Sequence, residues 1–258
     1  MVVESTQNGT TTRVLVDCGF GKRELEARLD SIGLVAQDIS AVLVTHEHSD
    51  HVGGVFRAAA SYGWAIHLTY GTLVAVRGID QNSARRKHDI HLIDSHLNFS
   101  IGNFSIEPIA VPHDAREPVQ FVLADNDHRL GVLTDIGHPT AHVIRALDRL
   151  DGFLLECNHD AKMLAASDYP AMLKRRISGP YGHLENLEAQ HIMASIDLSR
   201  LQLVVAGHLS QSNNTPDLAH QAVVNGLRQN NSFSTMQRNV EVLIADQRSG
   251  VSWQSIAS

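Results

Sequence analysis

Residues 45–51 read Thr-His-Glu-His-Ser-Asp-His, so three imidazoles and a carboxylate capable of metal ligation fall within the six residues His46–His51. His46 and His48, as i, i+2 neighbours leaving an extended segment, can grip one cation. Asp50 and His51, past the turn where a helix begins, can grip a second. Nitrogen and carboxylate donors in this mix suit Zn²⁺, Mn²⁺ or Fe²⁺. The same stretch also reads as a helix cap with Ser49 or Asp50 at the N-cap. A cap needs one such residue, and here four potential ligands stand together.

The loop needs a rigid base. Ala41–Thr45 supplies one, a short apolar run of the kind that forms a strand buried on both faces. Around it, strand-like and helix-like runs alternate. Strands are expected at Arg13–Cys18, Ala65–Leu68, Phe104–Val111, Val119–Ala124, Arg129–Thr134, Gly152–Glu156, Leu201–Val205 and Val240–Ala245. Asn126-Asp127 is the expected turn between the strands at Val119–Ala124 and Arg129–Thr134, and Val251–Trp253 also reads as strand-like. Helices are expected at Lys22–Gly33, with Leu25, Leu29 and Ile32 on one face, and at Val55–Tyr62 and Tyr70–Val76. Further helices are expected at Pro139–Leu150, near Tyr169–Ile177, and at Glu185–Ile196 and Asp217–Leu227. There is no low-complexity linker, heptad pattern or short repeat, and the alternation implies layered sheets flanked by helices in one domain spanning residues 1–258.

Composition sets the outer bounds. Of 258 residues, 43% are hydrophobic and 19% charged, which excludes a disordered tail, a collagenous repeat and a small disulfide scaffold. No run approaches the ~18 apolar residues of a membrane span, and Met1–Arg13 lacks the order of a signal peptide. Two cysteines, Cys18 and Cys157, read as reduced thiols in a cytoplasmic protein. The net charge of −7 means that a nucleic-acid partner must be held by a local patch. Arg85-Arg86-Lys87 and Lys174-Arg175-Arg176 are the dense basic clusters, although charge runs are more often solvated faces.

With its HxHxDH motif, the chain resembles the metallo-β-lactamase-fold hydrolases. Further pieces occur in order: Asp17 in VDCG, His113 in VPHDA, Asp135 in LTDIG and His208 in AGHLS. The resemblance implies a four-layer αββα sandwich of two mixed β-sheets flanked by helices. It also implies two divalent ions, Zn²⁺ or Mn²⁺: His46, His48 and His113 on one, Asp50, His51 and His208 on the other, Asp135 bridging, and Asp17 orienting the loop. Within the family, Asp135 matches the phosphodiesterase, nuclease and glyoxalase II branches, and His48 differs from the glutamate of the diiron redox branch. The segments VDCGFGKRELEARL, THEHSDHVGG, LTDIGH, LLECNHD, GHLEN and GHLSQSNNTPDLA are similar to the YycJ/WalJ-like subgroup, for which 5′-to-3′ exonuclease activity on DNA is described. There are two departures. The chain starts inside the segment that usually follows a first strand and turn, so either the start is misplaced or a first edge strand is missing. Glu185 stands where a serine is usual, and a carboxylate there weakens phosphate binding near His183.

Several further residues carry a functional reading beside a structural one. Asn158 and His159, in the Glu156–Asp160 run after a strand, read as substrate contact and as phosphate contact or proton donor, or as part of a helix cap involving Asn158 or Asp160. His183 resembles the family's extra histidine, a phosphate contact or proton donor. Ser210, Asn213 and Asn214 can offer donors to a phosphate or cap the next helix. The expectation is a metal-dependent phosphodiester hydrolase, a 5′-to-3′ exonuclease on DNA, with Asp50, His159 and His183 as its catalytic groups. The alternatives are a small-molecule phosphodiesterase or thioesterase of the same fold, and a metal-binding protein without turnover.

Overall fold

The structure is a computed structural model that describes residues 1–76, 87–234, 239–247 and 250–257. Arg85 and Arg86 of the first basic cluster lie outside these residues. The chain divides into two compact units, Met1–Ala110 with Ala115–Val119, and Val111–Asp114 with Gln120–Ser258.

The first unit carries a five-stranded mixed sheet. Its strands are β1 (Val2–Gln7), β2 (Thr10–Val16), β3 (Ala41–Leu43), β4 (Ala65–Thr69) and β5 (Ile90–Ile93), side by side in that order. β1 pairs antiparallel with β2, and every later pairing is parallel. β6 (Phe99–Ile101) and β7 (Phe104–Ala110) form a hairpin. The helices are α1 (Lys22–Asp30), α2 (Ser49–Val52), α3 (Val55–Tyr62) and α4 (Tyr70–Ala75). Leu25 and Leu29 of α1 join Val42, Val44, Val55, Ile66 and Trp64 in one buried cluster. The indole N–H of Trp64 donates to the Ala36 carbonyl at 2.8 Å, so its one polar atom is satisfied inside that core. β3 is buried at every position, as an apolar strand covered on both faces must be.

The second unit holds β8 (Val119–Ala124, whose first residue belongs to the first unit), β9 (Arg129–Leu133), β10 (Gly152–Glu156), β11 (Leu203–Gly207) and β12 (Glu241–Ile244). They run in the order β12-β11-β10-β9-β8, parallel from β12 to β9 and antiparallel at β8–β9. Its helices are α5 (Ala141–Ala146), α6 (Ala161–Ala166), α7 (Ala171–Ile177), α8 (Asn186–Ser195), α9 (Pro216–Gln229) and α10 (Asn231–Ser234). The turn at 125–128 forms as expected: Asp125 Oδ1 accepts from the amides of Asp127 and His128. α8 and α9 approach so closely at Gly226 that a Cβ there would lie 2.6 Å from the Gln190 carbonyl oxygen and from Met193 Cβ.

The structure departs from the sequence pattern at several places. β1, β5, β6 and α6 are short or polar elements that periodicity does not reveal. Val251–Trp253 forms no strand. The Pro139–Leu150 helix is shorter at both ends, spanning Ala141–Ala146, and it starts where Thr140 caps it by accepting from the Val143 amide at 3.2 Å. No helix among the described residues is long and apolar enough to cross a membrane.

One histidine of the first unit is a liability in acid. His67 on β4 is buried, its ring stacked on His91 at 4.6 Å and on Phe99 at 5.4 Å, with no hydrogen-bond partner for Nδ1 among the described residues. Burial, reinforced by His91, pushes its pKa down from 6.5 to about 4. A folded-state pKa below the unfolded one gives stability that is complete above pH 6.5 and is lost as the pH falls towards 4. The shift corresponds to about 3 kcal/mol. His67→Phe should therefore flatten the pH dependence of the urea midpoint in this window. An equally steep dependence in the variant would remove His67 as its cause.

Candidate metal centre

Residues 44–48 of the first unit form a loop that leads into α2 and is anchored by Asp17. Asp17 follows β2, and its carboxylate accepts three hydrogen bonds at 2.8 Å, from the Thr45 amide, the Thr45 hydroxyl and His51 Nδ1. Because the Thr45 hydroxyl gives its proton to Asp17, it accepts from His46 Nδ1 at 2.9 Å. Both rings thus carry their proton on Nδ1, and Nε2 is the basic nitrogen in each, the form in which histidine ligates a metal. The His46 ring centroid lies 4.5 Å from that of His48 and 4.2 Å from that of His51. His51 Nε2 stands 3.4 Å from Asp50 Oδ2. The motif residues are therefore gathered at one place. The cap reading is not realised, since the N-cap of α2 is His48 and no side chain bonds there. Glu47, between the two histidines, points elsewhere: its Oε1 accepts from the Arg116 amide at 2.8 Å.

The loop also depends on close backbone approach. The Cys18 amide donates to the His51 carbonyl at 2.7 Å, and the Gly54 amide to the Cys18 carbonyl at 2.8 Å. A Cβ on Gly19 would fall 1.9 Å from the Asp50 carbonyl oxygen. Glycine is needed there for room.

In the second unit the parallel strands β9, β10 and β11 end side by side, with Leu133 opposite Leu155 and Glu156 opposite Gly207. Asp135, Glu156 and His208 consequently emerge at one sheet edge, where parallel sheets place their ligands. Glu156 is fully buried. Its Oε1 accepts from His183 Nδ1 at 3.0 Å and His208 Nδ1 at 2.9 Å, and its Oε2 from the amides of Ile136 at 2.9 Å and Leu184 at 3.3 Å. Burial raises its pKa, but the histidine hydrogen bonds outweigh that and the net shift is downward. The carboxylate stays charged, so both rings present Nε2 as their second nitrogen.

Asp135 lies among three of the expected histidines. Its Oδ1 is 3.8 Å from His113 Nε2 and 3.2 Å from His183 Nδ1, and its Oδ2 is 3.6 Å from His208 Nε2. His113 donates from Nδ1 to the Gly182 carbonyl at 2.9 Å, and burial lowers its pKa, so its Nε2 is a lone pair facing a carboxylate oxygen. Two such acceptors repel unless a cation lies between them. Two ligand atoms each ~2.1 Å from one ion at a tetrahedral angle stand about 3.4 Å apart. The donor set therefore fits divalent ions, with the two oxygens of Asp135 turned to different histidines. Asp135, Glu156, His183 and His208 also each offer a ligand atom within 4.8 Å of the others. His183 is the ring with the raised pKa: burial lowers it, but hydrogen bonds to Asp135 and Glu156 bring it up to about 10.

The remaining expected residues shape the surroundings. Asn158 Nδ2 donates to the His208 carbonyl at 3.1 Å, and the Asn158 carbonyl accepts from the Ser210 amide at 2.8 Å. Ser210 Oγ accepts from the Asn213 amide at 3.2 Å, and Asn213 itself is fully buried. His159 is buried, and its Nδ1 has no hydrogen-bond partner among the described residues. Glu185 meets it through the backbone, in a parallel bridge. The helix caps fall to Asp160, which accepts from Met163, and to Thr215, which accepts from Leu218.

Two residues that received no firm role from the sequence, Asn186 and Asn214, form a reciprocal buried amide pair at 2.9 Å in each direction. Asn214 also donates to the Cys157 carbonyl at 2.7 Å. The pair ties the start of α8 to the loops after β10 and β11. The only trace of it in the sequence is that asparagine recurs in GHLEN and SNNT.

Glu156→Gln leaves one oxygen where two accepted four donors, and it removes the charge that fixes the Nδ1 protons of His183 and His208. Loss of such a partner behind a ligand histidine weakens metal binding about 10–100-fold. Titration of the metal-free protein with Zn²⁺ by calorimetry checks this. Undiminished affinity in the folded variant would show that Glu156 does not tune the site.

The profile described as the Beta-lactamase superfamily domain matches residues 12–209. Exodeoxyribonuclease WalJ of Streptococcus pneumoniae is 32% identical over 217 residues, which cover 84% of this chain and 81% of WalJ. Exodeoxyribonuclease YycJ of Bacillus anthracis is 31% identical over 211 residues, 82% of this chain and 79% of YycJ. Among solved structures, the metallo-beta-lactamase fold protein YhfI from Bacillus subtilis superposes with a TM-score of 0.66 at 19% identity, covering 94% of this chain and 88% of YhfI. At that identity the likeness speaks for the fold alone. With its two mixed sheets, its flanking helices and these relatives, the chain belongs to the β-lactamase superfamily, as a metal-dependent hydrolase of metallo-β-lactamase fold in the subgroup of WalJ and YycJ.

Proposed function

We propose that this hydrolase is an exonuclease that degrades DNA from the 5′ end and works with two divalent ions. The observation that carries the reading is the likeness, over four fifths of both chains, to proteins named exodeoxyribonucleases. The family signature supports the partition of ligands: His46, His48 and His113 for one ion, Asp50, His51 and His208 for the other, and Asp135 for both. The protonation pattern agrees, since His46, His51, His113 and His208 all give their Nδ1 proton to a protein acceptor. Zinc and manganese both suit this donor set.

When bound, such ions acidify water and neutralise charge on phosphate oxygens. The chain's own part is to orient and to move protons. Asp17 and Glu156 hold the ligand rings in one tautomer. His183, half-buried and fixed through Nδ1, can hold a proton at Nε2 for the leaving oxygen of the diester. His159 is the second candidate for that role. Ser210 is the partly exposed donor of its loop, while Asn158 and Asn213 act by fixing where His208 and Ser210 stand. The two cysteines are buried and unbridged, which suits a reducing, cytoplasmic setting.

The test is turnover of 5′-labelled double-stranded DNA by metal-free protein reconstituted separately with Mn²⁺ and with Zn²⁺. The expected result is mononucleotide release from the 5′ end, reduced by orders of magnitude in His48→Ala. Retained turnover with full metal content in that variant would defeat the ligand assignment. Cleavage of bis-p-nitrophenyl phosphate without DNA cleavage would discard the nuclease reading and keep a small-diester hydrolase.

General-acid help from His183 has its own signature. His183→Ala should lower kcat on DNA about 10²–10⁴-fold. The loss should be much smaller on bis-p-nitrophenyl phosphate, whose nitrophenolate leaves without being protonated. Equal losses on both substrates would assign His183 a different part.

A further inference from the structure

α7 differs from the longer helices, which bury an apolar face, for none of its residues is buried. It carries Met172, 76% exposed, and the turn that follows carries Tyr181, 60% exposed. A short helix gains little from propensity alone and normally persists by packing. Here it is tied down at its edges instead. Lys174 Nζ donates to the Ala165 carbonyl at 2.6 Å, and Arg176 pairs with Asp114 at 2.6 Å.

The turn is clamped on both sides of the tyrosine. His138 Nδ1 donates to the Pro180 carbonyl at 2.8 Å, and His113 Nδ1 to the Gly182 carbonyl at 2.9 Å. The Gly182 and His183 amides close back on Gly179 and Ile177, both at 2.9 Å. A Cβ on Gly137 would lie 2.2 Å from the Pro180 carbonyl oxygen, and one on Gly182 2.1 Å from that of Ile177. Tyr181 is thus held out in water by a rigid turn, two residues before His183. Neither its hydroxyl nor the exposed Arg175 guanidinium makes a side-chain hydrogen bond among the described residues.

Charge separates the possible occupants. Residues 161–181 hold Lys162, Lys174, Arg175 and Arg176 against the carboxylate of Asp168 and that of Asp114, with which Arg176 pairs, a local excess of positive charge in a chain of net charge −7. A locally cationic, rigidly presented aromatic face beside a phosphodiester site matches a single nucleic-acid strand, whose bases stack on aromatic rings while basic side chains follow its phosphates.

We propose that Arg175 on α7 and Tyr181 in the turn that follows it, both exposed, form the docking surface for a single DNA strand at the site, with a base stacked on Tyr181 and a backbone phosphate at Arg175. This rests on the nuclease reading above and deepens it. A basic run alone would not carry the assignment. The clamps on both neighbours of Tyr181 do, because they hold an aromatic ring in water beside His183.

The test is steady-state hydrolysis of a 5′-labelled single DNA strand by the metal-loaded protein and by Tyr181→Ala, Tyr181→Phe and Arg175→Ala, with bis-p-nitrophenyl phosphate alongside. Loss of a stacking platform should lower kcat/KM on DNA, relative to the small diester, about 5- to 100-fold in Tyr181→Ala, mostly through KM. Tyr181→Phe, which keeps the ring, should restore it. Arg175→Ala should flatten the slope of log kcat/KM against log salt by about 0.7. Equal losses on both substrates, or no loss on DNA, would overturn the proposal and leave this face to a protein partner or to solvent. An unmodified protein that cleaves the diester but no DNA would overturn the nuclease reading together with the docking surface. The two failures are therefore distinct.

Discussion

The second unit is organised around one buried carboxylate. Burying an ionised glutamate costs several kcal/mol unless its lone pairs are taken up. At Glu156 they are taken up by two imidazoles and two backbone amides. Those four donors come from the loop after β9, the segment leading into α8 and the loop after β11. Satisfying a single charge therefore fixes the relative positions of three loops. It also sets the chemistry, since a charged carboxylate on Nδ1 makes Nε2 the basic nitrogen of both rings. Asp17 does the same for His51, and through Thr45 for His46, in the first unit.

The backbone shows where this arrangement is strained. Asp17, Asp135 and His208 all adopt left-handed conformations, with φ of 57°, 48° and 57°. Non-glycine residues enter that region at a cost of order 1 kcal/mol each. All three follow the end of a strand, where the chain must turn abruptly to point a side chain across the sheet edge. The strain is compensated by the hydrogen bonds those side chains make. The shared conformation is the local counterpart of the task expected of all three, presenting or orienting a proposed metal ligand.

The catalytic reading and the docking surface draw on different parts of the same segment. The turn 178–183 gives one carbonyl to His113 and one to His138, and it ends on His183. It thereby couples the ring expected to protonate a leaving group to the face proposed to hold the strand. Gly182 permits this because no side chain fits between it and the end of α7.

The sequence by itself determined the family, most of the strand and helix plan, and the expected metal ligands. Those ligands sit in a dense motif and in short runs at strand ends, and the long parallel strands are apolar enough to be read directly. β1, β5, β6 and α6 escaped, because short or edge elements alternate too weakly to outweigh their turns. Only the tertiary structure decided which groups hold the expected ligands in place. Glu156 reads in the sequence as one more acid after a strand, Asn158 and Asn214 read as caps or substrate contacts, and Asn186 carries no reading of its own. Their roles depend on hydrogen bonds to residues 20 to 57 positions away. A satisfied buried charge is a property of what surrounds it in space, and residue type and local spacing carry no record of that.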